Sequence, residues 1–343
     1  MNNTKTSDLP LFGAETETSE IKTTDRRKMR EPFGRIDSDE LLREKLLPHC
    51  RLKSGEKWVD PVSGHIVGVA DVVDKNQVGK IIDNFRPTLC VADPPYNVIV
   101  GARNTKALSQ LSMKDYDEFT KAWLDTVLSS MGENSSFYVW FGADMKNGMH
   151  PIPEFCIEMR RRKEWVARNW ITVRNQRGYG TQKNWMWVRQ ELLYYIKGDV
   201  SFNIEAEYTD IPKILRGYHK VVGGKRTENL ERSKSDTIRA GNVWVDIQQV
   251  FYRLKENVPG CYAQKPFKSI ERIVRAGSNH GDYVLDPFSH SGTTLVACEA
   301  LKRRCIAFDI DPIFAEISIR RLERLRSTGL LGWQCENPFP EIS

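Results

Sequence analysis

The sequence contains no run of eighteen apolar residues, which excludes a membrane-spanning helix of ordinary length. Residues 1–24 are polar and have no apolar core, so they lack the pattern of a secretory signal. The seven cysteines form no Cys-x-x-Cys pair and are odd in number, which argues against a zinc site and against a disulfide framework. These absences predict a cytoplasmic protein with reduced thiols, no bound metal and no membrane contact.

The composition is that of a folded protein of moderate charge. Of the 343 residues, 40% are apolar, which is enough for a substantial core, and the formal net charge is +6. This length suits one large α/β domain with an insertion, or two domains. The predicted organisation is a disordered basic arm over residues 1–35, a main domain whose halves cover 36–201 and 258–330, an insertion over 202–257, and a tail over 331–343.

Short apolar runs alternate with amphipathic segments through both halves of the main domain, which predicts parallel strands joined by helices. The predicted strands include residues 65–69, 89–92, 136–141, 170–173, 191–196, 283–285 and 305–308. The predicted helices include residues 76–82, 114–131, 152–163, 266–276, 293–301 and 312–326. The alternation is lost over residues 202–257, where glycines and basic residues are scattered, so this segment is predicted to have a task of its own.

The most informative motif is residues 93–96, Asp-Pro-Pro-Tyr, which follows an apolar run typical of a buried parallel strand. Two prolines remove two backbone donors and hold the chain extended, so the Asp93 carboxylate and the Tyr96 ring are presented rigidly. In an open α/β sheet, ligands bind at the carboxyl ends of strands. A fixed acceptor beside an aromatic face suits a flat heterocycle with an amino group. The bland alternative is a turn with a solvated aspartate.

A second motif covers residues 283–309: a strand, a loop of small residues, a helix, and a strand that ends in Asp309. Asp309 lies about two dozen residues beyond the loop's start, the spacing at which the second strand reaches the ribose of a bound nucleoside. The loop lacks the three-glycine dinucleotide pattern and the Lys-Ser/Thr of a P-loop, so a nucleoside without phosphate fits it. S-adenosylmethionine is such a ligand, and its sulfonium is attracted to carboxylates such as Asp286. An ordinary βα turn before a solvated acid is the alternative.

With both motifs in this order, the chain resembles the amino-methylating DNA methyltransferases of the permuted β class from about Asp71 to Leu325. In that family the Asp-Pro-Pro-Tyr motif comes first, then the target-recognition region, then the cofactor loop. The resemblance implies a Rossmann-like, S-adenosylmethionine-dependent fold with circularly permuted motifs. Residues 36–201 would be its catalytic half, 202–257 the target-recognition insertion and 258–330 the cofactor-binding half.

The resemblance also implies roles for individual residues. The target base would be held by Asp93, Pro94, Pro95 and Tyr96. The cofactor would be bound by Asp71, Lys265, Asp286, Phe288, Ser289, Ser291, Gly292, Thr293 and Asp309. The base would be flipped out of the DNA and methylated by direct in-line transfer. An aspartate at the start of the motif favours adenine N6, and cytosine N4 is the alternative.

Basic residues are concentrated in the middle of the chain, over residues 160–189 and 213–239, and aromatic residues are interleaved with the first group. This is the footprint expected for contacts with DNA phosphates. The predicted contacts are Arg174, Arg177, Lys183, Arg216, Lys220, Lys225 and Arg226. The alternative is that the basic residues lie on a solvated helix end while the tryptophans pack in the core. For any single tryptophan, a core position is predicted.

One position departs from the family pattern, because His290 stands where the family loop usually has glycine. A β-carbon resists backbone torsions that glycine allows, although histidine enters the left-handed region more readily than most residues. The side chain of His290 is predicted to lie on the surface without a role. A DNA-binding protein with an impaired cofactor loop is therefore an alternative to an active enzyme.

Other activities fit the sequence less well. A nucleotide-dependent oxidoreductase is opposed by the missing three-glycine fingerprint. Methylation of RNA or protein is opposed by the order of the motifs, since those families usually place the cofactor loop first. The resemblance makes DNA the expected partner. A cognate restriction endonuclease and a homodimer are further expectations that rest on the resemblance alone.

Overall fold

The computed structural model describes residues 32–96, 111–142, 150–179, 185–203, 208–212, 219–228 and 237–342. Residues 31–343 group into one compact unit, so both halves of the main domain and the insertion belong to the same unit. No described helix is long and apolar enough to span a bilayer.

The helices and strands follow the predicted alternation. The helices are α1 Glu40–Leu46, α2 Lys75–Ile82, α3 Met113–Ser130, α4 Ile152–Arg161, α5 Phe267–Gly277, α6 Thr293–Ala300 and α7 Pro312–Thr328. The strands are β1 Lys57–Val59, β2 Ile66–Val69, β3 Leu89–Ala92, β4 Ser135–Gly142, β5 Val166–Tyr179, β6 Trp187–Lys197, β7 Tyr208–Pro212, β8 His219–Val222, β9 Lys225–Glu228, β10 Thr237–Arg239, β11 Val243–Trp244, β12 Tyr283–Asp286 and β13 Arg304–Asp309. The predicted α/β fold is confirmed.

The central sheet has nine strands in the order β1-β2-β13-β12-β3-β4-β6-β5-β11. Strands β2, β13, β12, β3 and β4 are parallel, while β6 runs antiparallel to its neighbours β4 and β5. Strand β12 lies beside β3 with Leu285 opposite Cys90, although the two are far apart in the chain. The two predicted motifs, which follow these strands, therefore emerge side by side at one edge of the sheet.

Helices cover both faces of the sheet because its central strands are apolar on both sides. One apolar core joins one face to α5, α6 and α7, and the other joins the opposite face to α2, α3 and α4. Every residue of β3 is buried, as expected for a strand with helices on both sides. At Gly68 a β-carbon would lie 2.4 Å from Cδ1 of Ile81, so the glycine gives the Ile81 side chain of α2 room to pack on β2.

The described part of the insertion forms two small antiparallel pairs, β7 with β10 and β8 with β9. The chain then returns to the large sheet, where β11 pairs with β5, so the end of the 202–257 segment belongs to the sheet. Arg272 of α5 donates to both Asp246 oxygens at 3.0 and 2.6 Å, and both side chains are 2% exposed. This buried ion pair joins the segment after β11 to α5.

Strands β5 and β6 are longer than predicted, at 14 and 11 residues. The sequence indicated only their apolar middles, residues 170–173 and 191–196. The extensions are rich in polar and charged residues, which carry no apolar signal. Their backbone groups are paired between the two strands, with Arg174 opposite Arg189, and this pairing does not depend on apolar side chains.

The predicted tail over residues 331–343 is part of the folded unit. Trp333 and Phe339 are buried in a third apolar cluster together with Ile36 and Leu46. Trp333 donates its backbone N–H to the carbonyl of Asn257 at 2.8 Å. Its described residues, 331–342, form no helix or strand, so their burial depends on a surface provided by other parts of the chain.

Candidate functional site

A cleft that is partly open to solvent lies at the carboxyl edge of β3, β4 and β12. Among the described residues, its lining comprises Val91, Asp93, Trp140, Lys265, Ile270, Asp286, Phe288, Ser289, His290, Ser291, Thr293 and Thr294. The structure thus brings Asp93 of the first motif and Phe288 of the second into one cleft. Tyr96 and Asp71 are not among these lining residues.

The Asp-Pro-Pro-Tyr segment is held by polar contacts at both ends. The Tyr96 hydroxyl donates to Oδ1 of Asp93, and the Tyr116 hydroxyl of α3 donates to the carbonyl of Pro95 at 2.8 Å. A β-carbon on Gly142 would lie 3.0 Å from the Tyr96 ring, so the ring packs closely on the end of β4. Burial and the neighbouring Asp93 charge raise the pKa of Tyr96 well above its ordinary value. The hydroxyl therefore remains protonated and donates to Asp93.

Lys265 lines the cleft beside Asp93. Its Nζ lies 2.8 Å from Oδ2 of Asp93 and donates to the Tyr96 hydroxyl at 3.0 Å. The same atom lies 5.3 Å from the ring centre of Trp140, within the range of a cation–π contact. The side chain is 7% exposed, whereas that of Asp93 is 29% exposed.

The loop between β12 and α6 is shaped by its own backbone. The Phe288 N–H donates to Oδ1 of Asp286 at 3.1 Å, and the Ser289 N–H donates to the carbonyl of Phe308 at 3.0 Å. Gly292 has φ +71°, in the left-handed region, and its N–H donates to the Ser289 carbonyl at 2.7 Å. The Ser289 hydroxyl is buried with no hydrogen-bond partner among the described residues. A tight turn therefore presents a polar atom that a ligand could satisfy.

Two buried acids flank this loop. Burial raises the pKa of Asp286 to about 7, although hydrogen bonds from Thr294 and the Phe288 N–H act in the opposite direction. Burial likewise raises the pKa of Asp309 to about 6. Oδ2 of Asp309 accepts from the His290 N–H at 2.9 Å, and Oδ1 accepts from the Asp311 N–H at 3.0 Å. The Ile310 N–H also donates to this carboxylate, which has about four lone-pair sites, so it retains capacity for another donor.

The prediction that His290 is a surface residue is wrong. Its side chain lines the cleft, and its ring lies 4.5 Å from the ring of Phe314 in α7. Its φ of +42° lies in the left-handed region, which the backbone bond to Asp309 supports. Burial lowers the pKa of His290 to about 4, so the ring is neutral at pH 7. The missed signal was the position of His290 inside the motif, because its neighbours Ser289 and Ser291 were themselves predicted to bind the cofactor.

Asp71 follows β2, which neighbours β13. Val69 is paired with Asp309, so Asp71 and Asp309 end adjacent parallel strands. Oδ1 of Asp71 accepts the N–H of Val73 at 3.1 Å. Asp71 thus stands at the same edge of the sheet as the cleft but outside the cleft lining.

The predicted DNA contacts are distributed along β5, β8 and β9. Arg174 is exposed on β5, and Lys225 is exposed at the start of β9. The backbone places Arg177 in β5, Lys220 in β8 and Arg226 in β9. Lys183 and Arg216 lie outside the described residues. The core prediction for single tryptophans holds for Trp165 and fails for Trp170 and Trp185, which are 49% and 91% exposed.

Sequence reasoning missed Arg321, a fully buried residue of α7. Its Nη1 donates to the Ser291 carbonyl at 2.9 Å and to Oγ1 of Thr293 at 3.0 Å, which ties the loop to α7. Burial lowers its pKa to about 10, so it remains charged at neutral pH. An arginine in a helix rich in basic residues is predicted to be exposed to solvent, and no local pattern distinguishes Arg321 from its neighbours.

Comparisons with known proteins agree on the kind of protein. The model of the N6/N4 family of DNA methylases matches residues 88–320. Type II methyltransferase M.HpaI of Haemophilus parainfluenzae is 28% identical over 235 residues, 68% of this chain and 68% of its own length. DNA adenine methyltransferase YhdJ of Escherichia coli strain K12 is 28% identical over 250 residues, 68% of this chain and 76% of its own length.

Solved structures show the same fold. The crystal structure of the M1.HpyAVI–SAM complex superposes with a TM-score of 0.50 at 15% identity, covering 75% of this chain and 98% of that one. The cytosine-N4-specific PvuII DNA methyltransferase gives a TM-score of 0.50 at 15% identity, covering 74% of this chain and 84% of that one. At this identity the likeness concerns the fold alone.

Proposed function

The chain belongs to the N6/N4 family of DNA methylases, and from this premise we propose that it transfers a methyl group from S-adenosylmethionine to N6 of adenine in DNA. The observation that carries the proposal is the shared cleft, in which Asp93 faces the loop that follows β12. An acceptor for an amino group and a loop for the methyl donor must adjoin for direct transfer.

The residues of the loop fit S-adenosylmethionine. Asp309 offers acceptor capacity for the ribose hydroxyls, and the buried Ser289 hydroxyl has no hydrogen-bond partner among the described residues. A positive sulfonium beside Asp286 would favour the ionised form of that acid, which burial disfavours. Phe288, Ser291, Gly292 and Thr293 would complete the binding site. The bound cofactor supplies an electrophilic methyl group.

The target nitrogen is a weak nucleophile because its lone pair is delocalised into the base. We assign Asp93 to accept one of its N–H bonds and the Pro94 carbonyl to accept the other, which favours a tetrahedral nitrogen as positive charge develops. Pro95 holds the segment extended, and the Tyr96 ring, which packs on the end of β4 next to Asp93, would turn toward the cleft to stack on the base. Such a base must leave the duplex to enter the cleft.

Adenine is the proposed base because Asp93 opens the motif, and the name of YhdJ specifies adenine. Cytosine N4 is the second candidate, since the PvuII enzyme of the same fold is named for that base. The type II names of several relatives make a cognate restriction endonuclease the proposed partner in the cell. A homodimer is the proposed assembly.

Labelled S-adenosylmethionine and unmethylated DNA test the reaction directly. After digestion to nucleosides, we expect the label in N6-methyladenine. Label in N4-methylcytosine would overturn the base assignment and retain the reaction, whereas unlabelled DNA would contradict both. The Asp93→Ala variant serves as the matched control, because it removes one side chain from the cleft.

Arg174 is the described residue that best tests the proposed DNA surface, because it is exposed on β5. Replacing it with alanine is expected to weaken DNA binding about equally for all sequences and to lower the salt slope by about one unit. The exposed Lys80 of α2, near the opposite edge of the sheet, provides the control. Fluorescence anisotropy across salt concentrations measures both effects, and equal slopes for the two variants would remove Arg174 from the surface.

A further inference from the structure

Lys265 is the described residue whose polar contacts reach both motifs. Its Nζ pairs with Asp93 at 2.8 Å, and its backbone carbonyl accepts the Thr293 hydroxyl at 3.3 Å. One residue therefore joins the acceptor of the first motif to the loop of the second. The resemblance to the family assigned Lys265 only to cofactor binding, so its bond to Asp93 is unaccounted for.

We propose that Lys265 is a positioning residue whose ammonium holds the Asp93 carboxylate and the Tyr96 hydroxyl in the orientation that receives the target amino group. This inference rests on the proposed function. It concerns the alignment of Asp93 rather than contact with the reacting nitrogen.

The backbone around Lys265 is held on both sides, so the position of its side chain is well defined. The amide of Gln264 accepts the Val258 N–H at 3.0 Å and donates to the Glu256 carbonyl at 2.8 Å. The Glu256 carboxylate accepts the Phe267 N–H at 2.8 Å, at the start of α5. The segment that carries Lys265 is thus anchored just before and just after it.

The charge of Lys265 also requires a partner. An ammonium that is 93% removed from solvent is costly unless it is paired, and the carboxylate of Asp93 is the acidic group that it contacts at 2.8 Å. The two ring centres of Tyr96 and Trp140 each lie 5.3 Å from Nζ. Rotating the side chain away would leave Asp93 without this partner in a cleft that also contains Asp286.

The contacts leave room for a substrate. A carboxylate has about four lone-pair sites. Tyr96 and Lys265 each use one of them, on different oxygens. The amino group of a base can therefore bind to Asp93 without displacing Lys265, and Lys265 limits rotation of the carboxylate while it does so.

The test combines Lys265→Met, Lys265→Arg, Asp93→Asn and the double variant Lys265→Met/Asp93→Asn. We expect Lys265→Met to lower kcat about 100-fold, the effect of a misplaced reacting group, and to change the Kd for S-adenosylmethionine by less than about threefold. Arginine keeps the charge and should restore part of kcat. In the Asp93→Asn background, Lys265→Met should lower kcat no further, because the group that it aligns is already removed.

The control is Lys268→Met, three residues further along, where the side chain pairs with Asp246 and is 41% exposed. It should leave kcat within about twofold of the wild type. Independent losses of kcat in the double variant would overturn the proposal. So would a raised Kd for the cofactor with unchanged kcat, since Lys265 would then serve the cofactor alone.

A second measurement does not depend on methyl transfer. Lys265→Met and Asp93→Asn should each lower the thermal midpoint by leaving one charge of this pair without its partner, and the double variant should recover part of that loss. Additive midpoint shifts would contradict the pairing. If the wild type transfers no methyl group to DNA, the proposed function fails, while this coupling still reports whether Lys265 holds Asp93.

Discussion

Replacing Asp93 with alanine is expected to lower methyl transfer at least about 100-fold, the cost of removing one group that stabilises developing charge. Asp93 accepts from Tyr96 and Lys265 and lies in the cleft opposite the loop that follows β12. Its carboxylate is the proposed acceptor for the target N–H. Affinity for S-adenosylmethionine should change little, because Asp93 makes none of the described backbone contacts that shape the loop.

The shape of the side chain can be separated from its charge with Asp93→Asn. The amide keeps the volume and one acceptor oxygen, so it should retain the fold while losing most of the activity. Glu118→Gln, on the outer face of α3 where the side chain is 63% exposed, removes a carboxylate from a region outside the cleft and should leave kcat unchanged. Steady-state transfer measures kcat, single-turnover transfer measures the rate of the methyl-transfer step, and calorimetry measures cofactor affinity. Retained turnover in Asp93→Ala would remove this residue from the mechanism.

Replacing Gly292 with alanine is expected to raise the Kd for S-adenosylmethionine roughly tenfold or more. The residue has φ +71°, and a β-carbon would lie 2.8 Å from Cα of Ser318 in α7. A left-handed alanine costs about 1–2 kcal/mol, and overpacking adds about 1–3 kcal/mol. The nearest atom belongs to the backbone of α7, which cannot move aside as a flexible side chain could, so the loop must shift. A loss of about 1.4 kcal/mol of binding free energy corresponds to a tenfold change in affinity.

Gly281 supplies a matched control for the steric part of that effect. It has φ +82°, yet a β-carbon would meet no atom within 4 Å. Gly281→Ala should therefore show the torsional cost alone, as a small loss of thermal stability with cofactor affinity intact. Equal effects of the two substitutions would mean that contact with α7 does not determine the shape of the loop.

His290 shows how a departure from a family pattern can be accommodated. The left-handed backbone at this position, φ +42°, is supported by the bond to Asp309. Its side chain has packed against Phe314, within the space between the loop and α7. The structure therefore accommodates the β-carbon at the position that raised the alternative of an impaired loop, and calorimetry with S-adenosylmethionine distinguishes an active site from an impaired one.

Much of the fold could be predicted because its signals are local. The apolar run of β3 and the sequence of strand, loop and helix around Gly292 are periodic patterns that neighbouring residues create together. Strand β11 could not be predicted, because its two residues are too few to show a periodic pattern. They pair with β5 only where the chain returns from the insertion to the large sheet. The burial of Trp333 could not be predicted either, because the residues that it packs against lie in distant segments of the chain.

The amino-acid sequence by itself determined the α/β class, the order of the two motifs and seven of the twelve residues that line the cleft among the described residues. Only the tertiary structure decided that Lys265 bonds to Asp93, that Arg321 donates to the loop at Ser291, and that His290 packs against Phe314. Periodicity and turn chemistry act between residues a few positions apart. Ion pairs and buried contacts depend on distances set by the packing of the whole sheet, and those distances appear only when β3 and β12 lie side by side.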